Sequence, residues 1–325
     1  MARRKRYTGK SSPNPTELAR EAFDVKWFEE DKVLFATART PQSFATMFET
    51  ANARNSFDPD KTWLVPEEYR ADIGTVEDAR RGVSIGKVPD ALFEEYERFE
   101  GKLGSTVSDF ESTAKSTRRK RVYRDVGDDL NIDRFLTGDI DCWETRERGA
   151  EQLLVRIGIQ FGFAAVTDAE VFARVASIGV AAATLLVRLG YAVEVHGYNA
   201  VQNRLPGVSD QTYTVMSVPF KQSDTPIDKH QILSLGLPTT LRIGGFAAAN
   251  ELWGMGFESH DDMGGVGMGT DNEEVRDQMD KLLGGGGEGG FDVYVGTSLT
   301  FSDSGAFKQD DALTGIMNTL MDLTE

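Results

Sequence analysis

The alternation of apolar and polar positions is most regular between residues 153 and 199. Two short apolar runs, 153–159 and 191–196, predict buried strands, and residues 168–189 between them have the apolar spacing of a helix. A strand, a helix and a strand in this order form a βαβ unit, whose strands lie parallel beneath covering helices. The pattern therefore predicts an α/β fold with a mostly parallel, Rossmann-like sheet.

The chain beyond residue 200 continues in the same manner. A run at 213–220 predicts a third strand, and its polar–apolar alternation places it near the sheet edge, with Pro219 at an end or a bulge. Helix-start signals predict helices from Thr225 and from Pro238, with a break between them near Gly236. Further along the chain, an apolar run predicts a strand at 291–296, and a helix is expected at 312–323.

The region before the βαβ unit carries helix signals instead. Capping residues followed by Pro or Glu mark helix starts near residues 14, 40, 75 and 89. Phe44, Met47 and Phe48 have helical spacing and are expected in a core that Trp27 and Trp63 anchor. The chain is thus expected to divide into three regions: a flexible basic arm at 1–13, a mainly helical region at 14–125 and an α/β domain at 126–325.

The amino-acid composition limits the kinds of binding partner that the chain is expected to have. The 325 residues are 40% hydrophobic and carry a net charge of −16, which predicts a packed core and disfavours broad binding to phosphates or anionic membranes. Cys142 is the single cysteine, so a disulfide framework within the chain is excluded. The longest apolar run, Val175–Val187, is shorter than the ~20 residues that cross a bilayer. It predicts a buried core helix and no membrane partner.

Acidic residues follow the predicted strands. In a parallel sheet the carboxyl ends of the strands meet at one edge, where open α/β sheets bind ligands. Asp168, Asp224 and Asp228 would lie there, and carboxylates are the ligands that Mg²⁺ prefers. Asp168 and Asp228 also suit helix caps, an interpretation that the following helices favour. A metal-dependent hydrolase is therefore one alternative, with Mg²⁺ as its cofactor.

Other catalytic patterns are missing from the sequence. The first strand is not followed by G-x-G-x-x-G, and the chain contains neither a Walker-type loop nor a G-x-S-x-G elbow. Three histidines, His196, His230 and His260, have no spacing that favours a Ser-His-Asp triad. The sequence thus favours a non-catalytic protein without a cofactor.

Two basic clusters interrupt the acidic chain. Lys and Arg side chains neutralise phosphates, although such clusters are more often solvated surface. They are candidate contacts for nucleic acid or for assembly: Arg3, Arg4, Lys5 and Arg6 in the arm, and Arg118, Arg119, Lys120 and Arg121 ahead of the α/β domain.

Several segments carry a family resemblance: 131–138 with Cys142 and Trp143, 181–195, 224–228 and 240–246. Together they resemble an uncharacterised family encoded mainly by bacteriophages and prophages, whose C-terminal half looks like a degenerate von Willebrand factor A-type (vWA) domain. The resemblance implies a vWA-like fold for the α/β domain. True vWA domains bind a metal through Asp-x-Ser-x-Ser after the first strand, where this chain has residues 160–164, QFGFA. The resemblance therefore implies the scaffold without metal-mediated adhesion.

The resemblance and the missing motifs together predict a non-catalytic phage-type protein. It is expected to act as an interaction or assembly scaffold, in the virion or in the cytoplasm of the host cell. Its expected partners are other copies of itself or other phage proteins. A nucleic-acid-associated factor that uses the basic clusters is the second alternative beside the hydrolase.

Overall fold

The computed structural model combines helices with two sheets. It describes residues 13–30, 32–53, 76–90, 92–98, 100, 120–124, 129–147, 154–162, 169–188, 190–203, 212–254 and 291–296. The helices are α1 (Glu17–Ala22), α2 (Pro41–Ala53), α3 (Val76–Ile85), α4 (residues 92–98), α5 (Ile132–Leu136), α6 (Ala169–Arg188), α7 (Lys229–Leu233) and α8 (Phe246–Trp253). The strands are β1 (Phe23–Phe28), β2 (Val33–Ala38), β3 (Lys120–Arg124), β4 (Asp129–Leu130), β5 (Trp143–Glu147), β6 (Leu154–Gln160), β7 (Ala192–Asn203), β8 (Thr212–Lys221) and β9 (Val293–Val295).

Six of the described strands form one mixed sheet in the order β1-β2-β8-β7-β6-β9. The predicted βαβ unit is confirmed, since β6 and β7 are parallel and α6 connects them; their register runs from Leu154–Ala192 to Gln160–Tyr198. Strand β9 pairs in parallel with the other side of β6. The α/β class is therefore confirmed at the centre of the sheet.

The expectation of a mostly parallel sheet is wrong for β8, which runs antiparallel to β7. Only residues 204–211 separate the two strands, and a parallel crossover needs a dozen residues or more. Strand β8 also lies between β7 and β2, in the interior of the sheet rather than near its edge. The prediction for Pro219 is confirmed, because the β7–β8 register shifts beside its pairing with His196.

Two strands that the sequence pattern did not predict extend this sheet. Strands β1 and β2 form an antiparallel pair, and β2 pairs in parallel with β8 from Val33–Tyr213 to Thr37–Ser217. Residues 14–125, which were expected to be mainly helical, thus contribute two strands to the sheet of the α/β half. Strong helix-start signals on both sides concealed two six-residue runs of strand periodicity.

The main core lies on the face of the sheet that the described helices cover. Strands β6 and β7 direct alternate side chains into it, and α6 packs on them with every residue from 175 to 186 buried. Gly179 allows this close packing, because a Cβ there would overlap the side chain of Ile159. Helix α6 has the length and apolar composition of a membrane span, but it is mostly buried, as in the core helix of a soluble protein.

A helix running from Pro238 to Trp253 completes this core. It follows a short 3-10 turn (Ser234–Gly236), which confirms the break predicted near Gly236, and it contains a π-helical segment (Thr240–Gly245) ahead of α8. Trp253 is buried, donates its indole N–H to the Thr214 hydroxyl at 2.7 Å and meets the Trp27 ring edge to face. Trp27 therefore belongs to the core as predicted, whereas Trp63 lies outside the described residues.

The smaller sheet contains three described strands in the order β3-β5-β4, all antiparallel. Helix α5 and a turn connect β4 to β5. The predicted short helix that ends at Gly138 is confirmed, since Gly138 has a φ of +77° just beyond α5.

Candidate functional site

The acidic residues expected at one edge of the sheet are not together. Asp224 and Asp228 follow β8, and because β8 is antiparallel to β7 they lie towards the edge where β6 and β7 begin. Asp168 lies outside the described residues, but it falls between the end of β6 and the start of α6. The expectation that the three carboxylates share one edge of the sheet is therefore wrong for Asp224 and Asp228.

Asp228 has the capping role that was its alternative. Its Oδ1 accepts a hydrogen bond from the Gln231 backbone N–H at 3.0 Å and thereby caps α7. Thr225 instead closes a turn through hydrogen bonds with the backbone of Gln222. Within the part of the chain that the structure describes, no group of three or more His, Cys, Asp or Glu residues could hold a metal ion.

The face of the large sheet opposite the main core carries a polar pair instead. The Nδ1 atom of His196 on β7 lies 3.0 Å from the hydroxyl oxygen of Ser217 on β8. Burial lowers the pKa of His196 to about 4; the Glu194 carboxylate acts to raise that pKa and the Arg156 guanidinium to lower it. The imidazole is neutral at pH 7, so this pair is a partly buried polar link between two antiparallel strands.

A cluster of three aromatic rings lies beside His196. The Phe291 ring lies 5.4 Å from the His196 ring and 5.8 Å from the Tyr198 ring, and the Tyr294 ring packs edge to face on both aromatic neighbours. Gly158 lies directly beneath Phe291, whose ring would overlap a Cβ there. The glycine therefore seats the aromatic cluster on β6.

The basic clusters are described only in part. Lys120 and Arg121 begin β3, where Lys120 pairs with Glu147 of β5 and Arg121 with Arg146. The other basic candidates, Arg3, Arg4, Lys5, Arg6, Arg118 and Arg119, lie outside the described residues. Contact with nucleic acid through these clusters stays a prediction.

The segment between β4 and β5 is held in shape by its own hydrogen bonds. Asn131 caps α5 by accepting the Arg134 N–H on its side-chain oxygen at 3.1 Å. Gly138 and Asp139 donate their N–H groups back to the carbonyls of Phe135 and Arg134, which closes the end of the helix. The Arg134 guanidinium also binds the Asp139 carboxylate at 2.7 Å and, through this hydrogen bond, lowers the pKa of Asp139.

This rigid segment presents apolar side chains to solvent. Ile132, Phe135 and Leu136 occupy positions i, i+3 and i+4 of α5, which share one face of a helix, and they are 64%, 58% and 75% exposed. Leu130 before the helix and Ile140 after it are exposed as well. These five residues, Leu130, Ile132, Phe135, Leu136 and Ile140, are called the α5 patch below.

The sequence predicted α5 but not the exposure of this face. A stripe at i, i+3 and i+4 is also the pattern of a core-facing helix, so local spacing does not separate the two. The sequence feature that could have indicated exposure was the number of large apolar residues in a short helix flanked by caps and acidic turns.

A family model described as a domain of unknown function, DUF7192, matches residues 44–279. The chain belongs to the DUF7192 family. The DUF7192 match includes most of α2, the α5 patch and strands β3 to β8. No curated protein and no solved structure matches the chain.

Proposed function

We propose that this DUF7192 chain is a non-catalytic interaction or assembly protein, in which the α/β sheet is the scaffold and the α5 patch is the docking surface. The observation that carries the proposal is the exposure of five large apolar side chains between residues 130 and 140. Monomeric soluble proteins rarely leave apolar patches larger than a few hundred Å² open to water, and such patches mark interaction sites.

The rigidity of the segment supports a docking role. A flexible loop would lose conformational entropy on binding, whereas α5 is already fixed by Asn131, Gly138 and the Arg134–Asp139 pair. The apolar face is therefore preorganised.

Two polar clusters that join separate elements support the scaffold half of the proposal. His196 and Ser217 link β7 to β8. Glu100 accepts hydrogen bonds from Lys229 at the start of α7 and from Arg188 at the end of α6, at 3.0 and 2.8 Å. Each cluster ties elements together, as expected of a rigid support.

The finer fold assignment belongs to the same proposal. A vWA-like arrangement is supported by the βαβ unit and by β9, which pairs in parallel with the other side of β6. Strands β8 and β2 run opposite to this parallel group. Phe161, in the stretch where vWA domains hold a metal, is buried against Phe44. The proposed setting is a phage-type protein of the virion or of the host cytoplasm, and the segment resemblance supports that setting.

The test compares the full chain with a patch variant in cells that produce it naturally. We expect the wild-type chain to migrate in an assembly larger than a monomer and the double substitution Phe135→Ser, Leu136→Ser to release it. Ile85→Ser is the matched control, because Ile85 is 65% exposed but ends α3, outside the smaller sheet. Monomeric migration of the wild-type chain in those cells would refute the proposal.

A further inference from the structure

The size of the α5 patch fits a contact between two copies of this chain. With exposed fractions between 38% and 80%, the five residues expose on the order of 600 Å² in each copy. A two-fold contact that covered all of them would bury roughly 1,200 Å², the lower end of the range for stable specific interfaces. We infer that the occupant of the patch is the α5 patch of a second copy. This inference rests on the proposed docking function and names its partner.

Self-pairing also fits the form of the patch. In a two-fold contact the same surface occurs on both sides, so it must complement itself. The stripe of Ile132, Phe135 and Leu136 can complement itself, because apolar side chains carry no charge that a partner of opposite sign must match. Arg134 and Asp139 form an ion pair within the segment, so these two residues bring no unpaired charge into the contact. Asp141 is exposed just after Ile140 and adds to the like-charge repulsion between two copies.

The charge of the whole chain sets the direction of the salt dependence. Each copy has a net charge of −16, so two copies repel one another while the apolar contact draws them together. Added salt screens the repulsion and leaves the apolar contact in place. Dimerisation should therefore strengthen with salt. Association with a basic partner would weaken instead, which separates the two occupants experimentally.

The experiment measures the mass of the purified full-length protein by light scattering or sedimentation, from about 1 to 100 μM, the range in which contacts of this size associate. We expect the 35.8 kDa chain to double in mass over this range, with tighter association at higher salt. Phe135→Ser should weaken association at least about tenfold, and Ile85→Ser should leave it unchanged.

A cross-linking variant keeps the test decisive if a serine variant unfolds. Cys142 is buried, so a cysteine introduced by Leu136→Cys is the exposed thiol among the described residues. Near a two-fold axis it meets its own copy, and mild oxidation should give a covalent dimer at the concentration where the mass doubles. Ile85→Cys should not.

Three results would overturn the inference: a monomer throughout the range, a dimer that Phe135→Ser leaves intact, or association that weakens with salt. A chain that is monomeric when pure, but that loses an assembly in its own cells through Phe135→Ser and Leu136→Ser, overturns the second copy as occupant. The docking function of the patch stands in that case. The two proposals therefore fail separately.

Discussion

The neutral imidazole of His196 and the hydroxyl of Ser217 link β7 to β8 across a 3.0 Å contact beside a register shift. Proton uptake by this ring works against the fold, because burial lowers its pKa to about 4 whereas an unfolded histidine titrates near 6.5. The unfolded chain thus binds the proton first as the pH falls. The stabilisation is complete above about pH 6.5 and is lost as the pH falls towards 4.

His196→Gln is therefore expected to flatten the pH dependence of the free energy of unfolding between pH 6.5 and 4. The wild-type protein should lose up to about 3 kcal/mol more than the variant over this interval. Urea unfolding at a series of pH values measures the difference. Parallel curves for the two proteins would show that His196 is as accessible to protons in the fold as in the unfolded chain.

Two glycines with positive φ provide a matched pair for stability. Gly138 after α5 and Gly254 after α8 have φ values of +77° and +64°. A Cβ at Gly138 meets nothing within 4 Å, whereas one at Gly254 would overlap the carbonyl oxygen of Asn14. Gly138→Ala should cost about 1 kcal/mol through backbone strain, and Gly254→Ala about 3 kcal/mol through strain plus overlap.

Thermal and urea unfolding of both variants measure that difference. Equal losses would mean that the chain before α1 shifts freely away from Gly254. The hydrogen bond from the Thr16 N–H to the Glu251 carbonyl at 2.9 Å opposes such a shift, because it holds that stretch against α8.

The hydrogen bond from Trp253 to Thr214 is buried, and its loss should be measurable. Thr214→Val keeps the shape but removes the acceptor of the indole N–H, which should destabilise the fold by about 1–3 kcal/mol. In a Trp253→Phe background the same substitution should have a much smaller effect. The unfolding free energies of the wild type, the two single variants and the double variant form a double-mutant cycle, which measures the contribution of this hydrogen bond. Additive losses would mean that this bond contributes nothing of its own.

Asp228 and Asp224 distinguish a helix cap from a metal site. Asp228→Ala should cost about 1 kcal/mol, because the first turn of α7 loses its acceptor, while Asp228→Asn restores most of it. Asp224→Ala, at an exposed position, should leave the stability unchanged. Mg²⁺ titrated into the wild-type protein should not raise Tm. An increase in Tm that Asp224→Ala abolishes would restore the metal-dependent alternative.

Local patterns in the sequence predicted the elements whose causes are local. The apolar runs around α6 identified the βαβ unit, the Thr40–Pro41 pair marked the start of α2, and Gly138 marked the end of α5. In each of these cases the deciding interaction lies within a few residues. For α2 it is the Thr40 hydroxyl, which accepts the Ser43 N–H at 3.0 Å.

The direction of β8 and the position of β1 and β2 in the large sheet depend on pairing between distant residues. Strand periodicity is the same in parallel and antiparallel neighbours, so the apolar pattern of β8 did not reveal its direction. The direction of β8 could have been predicted from the length of the connection at 204–211, which is too short for a parallel crossover. Strand β2 pairs locally with β1, but its place in the large sheet depends on its contact with β8, far along the chain.

The candidate site shows the same limit. The sequence favoured caps over metal ligands, and Asp228 is a cap. It gave no means of telling whether Phe135 and Leu136 face a core or solvent, because exposure depends on what the rest of the fold places against them. The docking surface therefore emerged from the structure alone.

The parallel pairing of β2 with β8 has a consequence for synthesis on the ribosome. Val33 cannot pair with Tyr213 until the ribosome has added roughly 180 further residues, which takes about 10–40 s at ordinary elongation rates. During that interval the nascent chain carries an open strand edge, which invites pairing with neighbouring chains. A fragment that ends before Thr212 should therefore aggregate, and folding of the complete chain should depend on how this edge is shielded until β8 emerges.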